Sequence, residues 1–464
     1  MEPFTDHGTF WLPDGERMTG RVEFNGDAVL LALDAPLDDT EAPKHEGPQP
    51  TQPLLRHTLI HAELRDHGPA SILDASAPFQ AHRRTPTRWR APAAILGERL
   101  REARFTQTWV RFDSLVAWAK PRPLLEWEGP GIRTATVDLD REVLASTEVG
   151  DVRIDLVSAW ERTGRASEMD VHMKRICSFS IETPPLPWSD VFDKWIRPLQ
   201  DLLIVLLGRP VRMTHCRTLP ADPVDPRESS ELVIGAHQPP ASETPTPLDL
   251  LNWGQPTMLT REELPIPVGD LIGGWYGCLA KYADSITLLC SSFYAPFMYS
   301  EHQFSTLIQG VENLGGELFG GQQLEAAEHE ARLNAILDAA FAAGVAEEHV
   351  GWAKRSLQNA NHRPLKTVVE QLLAATGGLG RAIAEQDPKF GGRLAGFRGR
   401  IAHGKGWRGL DSGELYWHSE ALRWILRAQL AMAAGVPIET LWERVERRGH
   451  FTQTLPRLGP SAHA

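Results

Sequence analysis

The spacing of apolar residues changes once along this chain. Up to residue 267 the pattern is that of strands. Arg21-Val22-Glu23-Phe24 alternates, Asn25-Gly26 supplies a two-residue turn, and an apolar run returns from Ala28 to Leu33. This predicts a β-hairpin. Further strands are expected at 58–64, 106–117, 134–139, 152–160, 176–181 and 232–235. One amphipathic helix interrupts them at 190–207, with Ser189 as its cap, Gly208 as its stop and Pro198 as a candidate kink. Pro- and acid-rich stretches at 36–53, 220–230 and 239–247 read as long loops or linkers.

From Val268 the period is helical. Leu271, Trp275, Leu279, Tyr282, Ile286, Leu289 and Phe293 recur every three or four residues, as do Phe304, Leu307, Ile308, Val311, Leu314 and Leu318. Similar patterns at 324–341, 347–358, 365–375, 414–434 and 438–447 predict an all-helical bundle. Roughly seven to nine helices with short connections would account for it. The fold class expected is α+β and multidomain: a β-rich domain over 1–267, then a helical domain over 268–464.

Composition fits that picture. A chain of 464 residues holds two or three domains, and 42% hydrophobic with 23% charged residues gives ample core. Most of the fifteen Trp read as core or interface anchors. The start Met1-Glu2-Pro3-Phe4-Thr5-Asp6 carries neither a basic region nor an apolar run, so no signal peptide is expected. Apolar stretches such as 202–207 are too short to span a membrane. Cys177, Cys216, Cys278 and Cys290 are scattered, without Cys-x-x-Cys, and read as buried reduced thiols of a cytoplasmic protein. No metal cluster and no cofactor is expected.

Charge adds a site. The chain carries a formal net charge of -12, yet 391–410 holds Arg393, Arg398, Arg400, Lys405 and Arg408 and no Asp or Glu. Such a patch would draw a phosphate-bearing partner locally. Leu394, Phe397 and Ile401 form one helix stripe, with Arg398 at its edge. In an unbroken helix His403 would be turned about 140° from Arg398. Gly404 and Gly406 offer a stop near Ala402, which frees His403 to swing round. An arginine and a histidine with four to six residues between them recur through the chain, so spacing alone decides nothing; the basic run and the glycines single out this pair. Arg355/His362 is the rival, read as a helix end plus loop. Trp417 and Trp424 read as core or dimer contact, and His329 as an exposed helix residue.

Arg398-x4-His403 at a helix end, followed by Gly404, resembles the signature of the HEPN superfamily. The resemblance implies a metal-independent ribonuclease in which the arginines and histidines of two protomers meet at a dimer cleft. Arg398 and His403 would be catalytic, and Gly399 stands where the family often has Asn or another polar residue. Gly8-Thr9-Phe10-Trp11-Leu12-Pro13 and Gly20-Arg21-Val22-Glu23-Phe24-Asn25-Gly26 resemble the opening of ApeA-type anti-phage proteins, which carry a HEPN domain at the carboxyl end. That implies a sensing or regulatory β-rich domain, open to a phage-derived trigger, and a helical effector. The partners implied are RNA and a second copy bound through the helical half, with no membrane.

Histidine can pass the proton of a 2′-OH or of a 5′-oxygen, and a guanidinium can hold a phosphate by two parallel bonds. Arg400 and Lys405 are the candidate RNA or phosphate contacts. Glu312 is the candidate carboxylate to orient Arg398, against the blander reading of a surface glutamate beside Asn313. The alternative function is a catalytically inactive HEPN-like dimeric scaffold, which Gly399 favours. A carbohydrate-binding β domain, resting only on Trp-rich strands, is a third.

Overall fold

The computed structural model describes residues 3–25, 28–35, 37, 54–78, 88–120, 141–163, 172–222, 230–234, 255–295, 298–358, 360–402 and 411–459. By packing, the chain divides into two compact units. One comprises Met1–Asn252 with Thr260–Tyr276, the other Trp253–Leu259 with Gly277–Ala464.

The first unit is built on antiparallel strands. Six of them are β1 (Phe4–Trp11), β2 (Met18–Phe24), β3 (Val29–Leu33), β4 (Leu54–Leu64), β5 (Gly68–Pro78) and β6 (Arg88–Ala91). They run in the order β4-β1-β2-β3-β6-β5, and a β4–β5 pairing closes the ring. The strands of the hairpin predicted from Arg21 to Leu33 are paired, with Phe24 opposite Val29, and Gly26 of its expected turn lies outside the described residues. Alternation sends Phe10, Val22, Phe24, Leu31, Ile60 and Ile72 inward as the barrel core. The other strands are β7 (Ala93–Leu96), β8 (Arg104–Phe112), β9 (Glu142–Val149), β10 (Val152–Thr163), β11 (His172–Pro187), β12 (Met213–Pro220) and β13 (Ser230–Ile234). They continue from β5 in the order β7-β13-β12-β8-β11-β10-β9.

The strand expected over 106–117 stops at Phe112, and Leu115–Ala119 form a short helix, α1. Asp113 and Ser114 cause the change. The Ser114 hydroxyl donates to the buried Asp113 carboxylate, and the Asp113 backbone N–H donates to the Arg212 carbonyl. The expected helix is present as α2 (Trp188–Val191), a π-helical turn at Phe192–Ile196, and α3 (Arg197–Leu207), but Pro187 rather than Ser189 is its cap. The wide turn sits just ahead of Pro198, which lacks an N–H and crowds the preceding turn. Gly208 ends α3 in the left-handed region, at φ 64. Trp275 donates to the Pro198 carbonyl at 2.8 Å, and Tyr276 to that of Trp195 at 2.6 Å. The strand expected at 134–139 lies outside the described residues.

Helix α4 (Val268–Tyr294) begins where the period changes and has a non-helical backbone at Tyr282. Its first residues pack with the strands: a Cβ on Gly269 would lie 2.4 Å from the Ser146 carbonyl oxygen. After it come α5 (Ser300–Phe319), α6 (Ala326–Ala342), α7 (Glu347–Gln358), α8 (Leu365–Ala375), α9 (Gly378–Gln386), α10 (Phe390–Ala402), α11 (Ser412–Ala433), α12 (Ile438–Val445) and α13 (Gly449–Thr454). That makes ten α-helices among the described residues from Val268 on, with α9 and α13 unforeseen. Helix α11 runs through the centre, with Trp424 and Arg427 both buried. Arg427 donates to the Pro256 carbonyl at 2.8 Å and lies over the Trp424 ring, and burial lowers its pKa to about 9. This contact ties the segment Trp253–Leu259 to the helices. All four cysteines are buried and unbridged, and burial raises Cys177 and Cys278 to about 11. No described helix is long and apolar enough to cross a membrane.

Candidate functional site

The site is set by helix α10. Phe390, Leu394 and Phe397 are buried and Ile401 is half-buried, so the expected stripe faces the bundle. Phe397 meets the edge of Phe304 from α5 at 5.8 Å and of His418 from α11 at 5.2 Å. Gly391 lets α10 approach α8 closely, since a Cβ there would lie 3.0 Å from the Lys366 carbonyl oxygen. These contacts fix the rotation of the helix. Arg398, one step beyond Phe397, therefore emerges at the edge of the stripe with 48% of its side chain exposed.

Glu312 comes from α5 and stands 3.5 Å from the Arg398 Nε, itself one-third exposed. It also lines a cavity of about 400 Å³ with Lys281, Tyr282, Asp284, Asn313 and Glu317. Three carboxylates against one lysine make that cavity unfavourable for phosphate, so the open side of Arg398 is where an anion would sit. Arg400 is exposed near the end of the helix. The helix runs to Ala402, and His403, Lys405 and Arg408 lie outside the described residues.

The basic run is partly neutralised in space. Arg393 is held by Asp387 at 2.8 Å and by Glu414 at 3.2 Å. Both carboxylates lie outside the acid-free window 391–410. Asp387 is almost fully buried, so Arg393 is a buried-network cation rather than part of an RNA-facing patch. His418 completes the group: it is fully buried, stacked on Phe390, and donates through Nδ1 to the Glu414 carbonyl at 2.7 Å. Its Nε2 faces Asp387 at 3.8 Å. Burial lowers its pKa below 6.5, outweighing the carbonyl and carboxylates that favour the charged form. Sequence reasoning missed this network. The only hint was a histidine among the apolar residues Leu415, Ala421 and Leu422.

The rival pair does not come together as a site. His362 is exposed, and its segment is bound to the α5–α6 connection by backbone bonds. Arg363 supports that connection by donating to the Phe319 and Gln322 carbonyls at 2.8 and 3.0 Å. Arg355 is an exposed residue of α7. His329 is half-buried rather than exposed. Trp424 is core, packed edge-on against Phe451 at 5.5 Å.

Two family models match the chain. One, ApeA N-terminal domain 1, covers residues 7–221; the other, Apea-like HEPN, covers residues 305–440. The chain is an ApeA-type protein. Its second match takes in α5 with Glu312, α10 with Arg398, and the Arg393 network. The two domains together make it a defence-type HEPN protein. No curated protein and no solved structure matches it.

Proposed function

We propose that the helical domain is a metal-independent endoribonuclease and that Arg398 and His403 are its catalytic pair. The observation that carries this reading is the placement of Arg398. A buried stripe fixes its helix, Glu312 stands beside its Nε, and about half of the side chain is exposed. That geometry suits a group meant to receive a phosphate. Arg398 would stabilise charge on the phosphate oxygens while His403 moves the proton of the attacking 2′-OH or of the leaving 5′-oxygen. The products would carry 2′,3′-cyclic phosphate and 5′-OH ends. Arg400 and Lys405 would hold flanking phosphates, and Glu312 would orient Arg398.

One pair supplies a single proton-transfer group. A second copy across a twofold axis supplies the other, so the active form would be a homodimer through the helical domain. We assign residues 1–267 to sensing a phage-derived trigger and residues 268–464 to the effector step, in the cytoplasm, with abortive infection as the outcome. A catalytically inactive dimeric scaffold is the second reading. Gly399 favours it, as does the carboxylate already beside Arg398.

The test is incubation of purified protein and of His403→Ala with total RNA in chelator, followed by end-group analysis. Cyclic-phosphate ends from the parent protein and none from the variant are expected. Cleavage that requires Mg²⁺, or 5′-phosphate ends, would sink the assignment. Equal cleavage by His403→Ala would do the same.

A further inference from the structure

A groove of about 710 Å³ crosses β4, β1, β2 and β3 on the barrel of the first unit. Strand register fixes its floor. Leu64 lies opposite Gly8, Gly8 opposite Gly20, and Gly20 opposite Leu33. A Cβ on Gly8 would lie 2.3 Å from the Glu63 carbonyl oxygen, and one on Gly20 2.6 Å from that of Ala32. By strand alternation this row turns inward, where Leu33 and Leu64 join the barrel core, so the middle of the outer floor is bare backbone. A ligand can approach such a surface closely.

The rows on either side point the other way by strand alternation. One carries Arg65, His7 and Arg21; the other carries Glu63, Thr9, Thr19 and Asp34. The walls differ in what they have left to bind. Asp34 already accepts from the Thr19 hydroxyl at 2.5 Å, and Glu63 has Arg99 at 3.9 Å. Among the described residues, neither Arg21 nor Arg65 has a carboxylate within 4.0 Å. The two arginines flank His7 across adjacent strands, about 10 Å apart by two inter-strand spacings. Both guanidiniums can converge on one polyanionic group.

We propose that this groove binds a phosphate-bearing small molecule of nucleotide size. Its phosphates would rest on Arg21 and Arg65 over the two glycines. The opposite wall would accept from its hydroxyl or amino groups, as acidic residues accept from ribose hydroxyls in nucleotide-binding folds. The volume lies within the range of small-ligand sites, roughly 300–1,000 Å³.

The test is calorimetric titration of the full chain with the four nucleoside monophosphates, ADP, adenosine and inorganic phosphate. At least one phosphorylated nucleoside should bind at least tenfold more tightly than adenosine or phosphate alone. Arg21→Ala combined with Arg65→Ala should weaken it at least tenfold, with an unchanged melting curve, since both side chains are exposed. Arg88→Ala, at an exposed position of β6 outside the groove, should bind as the parent does. Absence of binding by every nucleotide would overturn the proposal. So would adenosine or phosphate alone matching the nucleotides, or unchanged binding in the double variant. RNA cleavage plays no part in these readouts, so the groove and the ribonuclease reading stand or fall separately.

Discussion

Arg393 and Arg398 lie on one helix, five residues apart, and have opposite surroundings. Arg393 closes a network with Asp387, Glu414 and His418, and Asp387 and His418 are nearly inaccessible to water. Arg398 has one carboxylate at 3.5 Å and half of its surface in solvent. The first arrangement neutralises a buried charge; the second leaves a cation able to change partners. A basic run in sequence is therefore not a basic patch in space. The acids that decide each arginine's role sit outside the basic run, on α5, on α11 and in the turn at Asp387.

The largest effect expected follows from the first arrangement. Arg393→Ala would strand a buried carboxylate, and breaking such a pair typically costs about 3–5 kcal/mol. Urea unfolding should show the loss. A change below about 1 kcal/mol would mean that the Lys389 N–H and His418 satisfy Asp387 without the guanidinium.

Arg398→Ala is the converse. An exposed ion pair contributes at most about 1 kcal/mol, so unfolding should barely move. RNA cleavage should fall by about 10²–10³, the usual loss for one donor to a developing oxyanion. Arg398→Lys should rescue poorly, since an ammonium lacks the planar fork. Glu312→Gln should lower cleavage less than Arg398→Ala does. If Arg398→Ala unfolds the protein and Arg393→Ala does not, the contrast between the two residues is reversed.

Acid should weaken the buried side of the comparison. Burial lowers the pKa of both His418 and His450 below 6.5. The unfolded chain then binds protons that the folded chain refuses. Their contribution to stability is complete above about pH 6.5 and is lost as pH falls through the depressed values, at no more than about 1.4 kcal/mol per pH unit for each histidine. Melting temperatures from pH 7.5 to 5 should decline, and more shallowly in His418→Gln. An identical slope in that variant would remove His418 from the account.

Period was legible in this sequence and partners were not. The helical switch at Val268 and the stripe Leu394-Phe397 follow from local spacing. So does the pairing of Arg21–Phe24 with the run that ends at Leu33. Strand β5 escaped because Gly68–Pro78 is rich in Ala and Ser, buried on both faces, and shows no alternation. Helix α1 escaped because an apolar run such as Leu115–Ala119 reads equally well as a strand until the Asp113-Ser114 contact is seen. The neighbours of Arg398 and Arg393 come from α5, α11 and the turn at Asp387, all outside the basic run. No local pattern announces them.

The smallest effect sharpens the site half of the comparison. Gly399 is half-buried in the last turns of α10, and a Cβ there would meet nothing within 4 Å. Its φ is not in the left-handed region, so a side chain brings no backbone strain. Glycine inside a helix costs roughly 0.5–1 kcal/mol relative to alanine. Gly399→Ala should therefore raise stability by about that amount without displacing Arg398. Gly399→Asn gains less helix propensity but restores the polar neighbour often found there in the HEPN superfamily. If the pocket follows that pattern, Gly399→Asn should cleave RNA at least as well as the parent, and Gly399→Ala should match the parent. Stability gained in both variants with cleavage lost in both would mean that the reacting phosphate needs the bare backbone at Gly399, and the pocket would then differ from the family's.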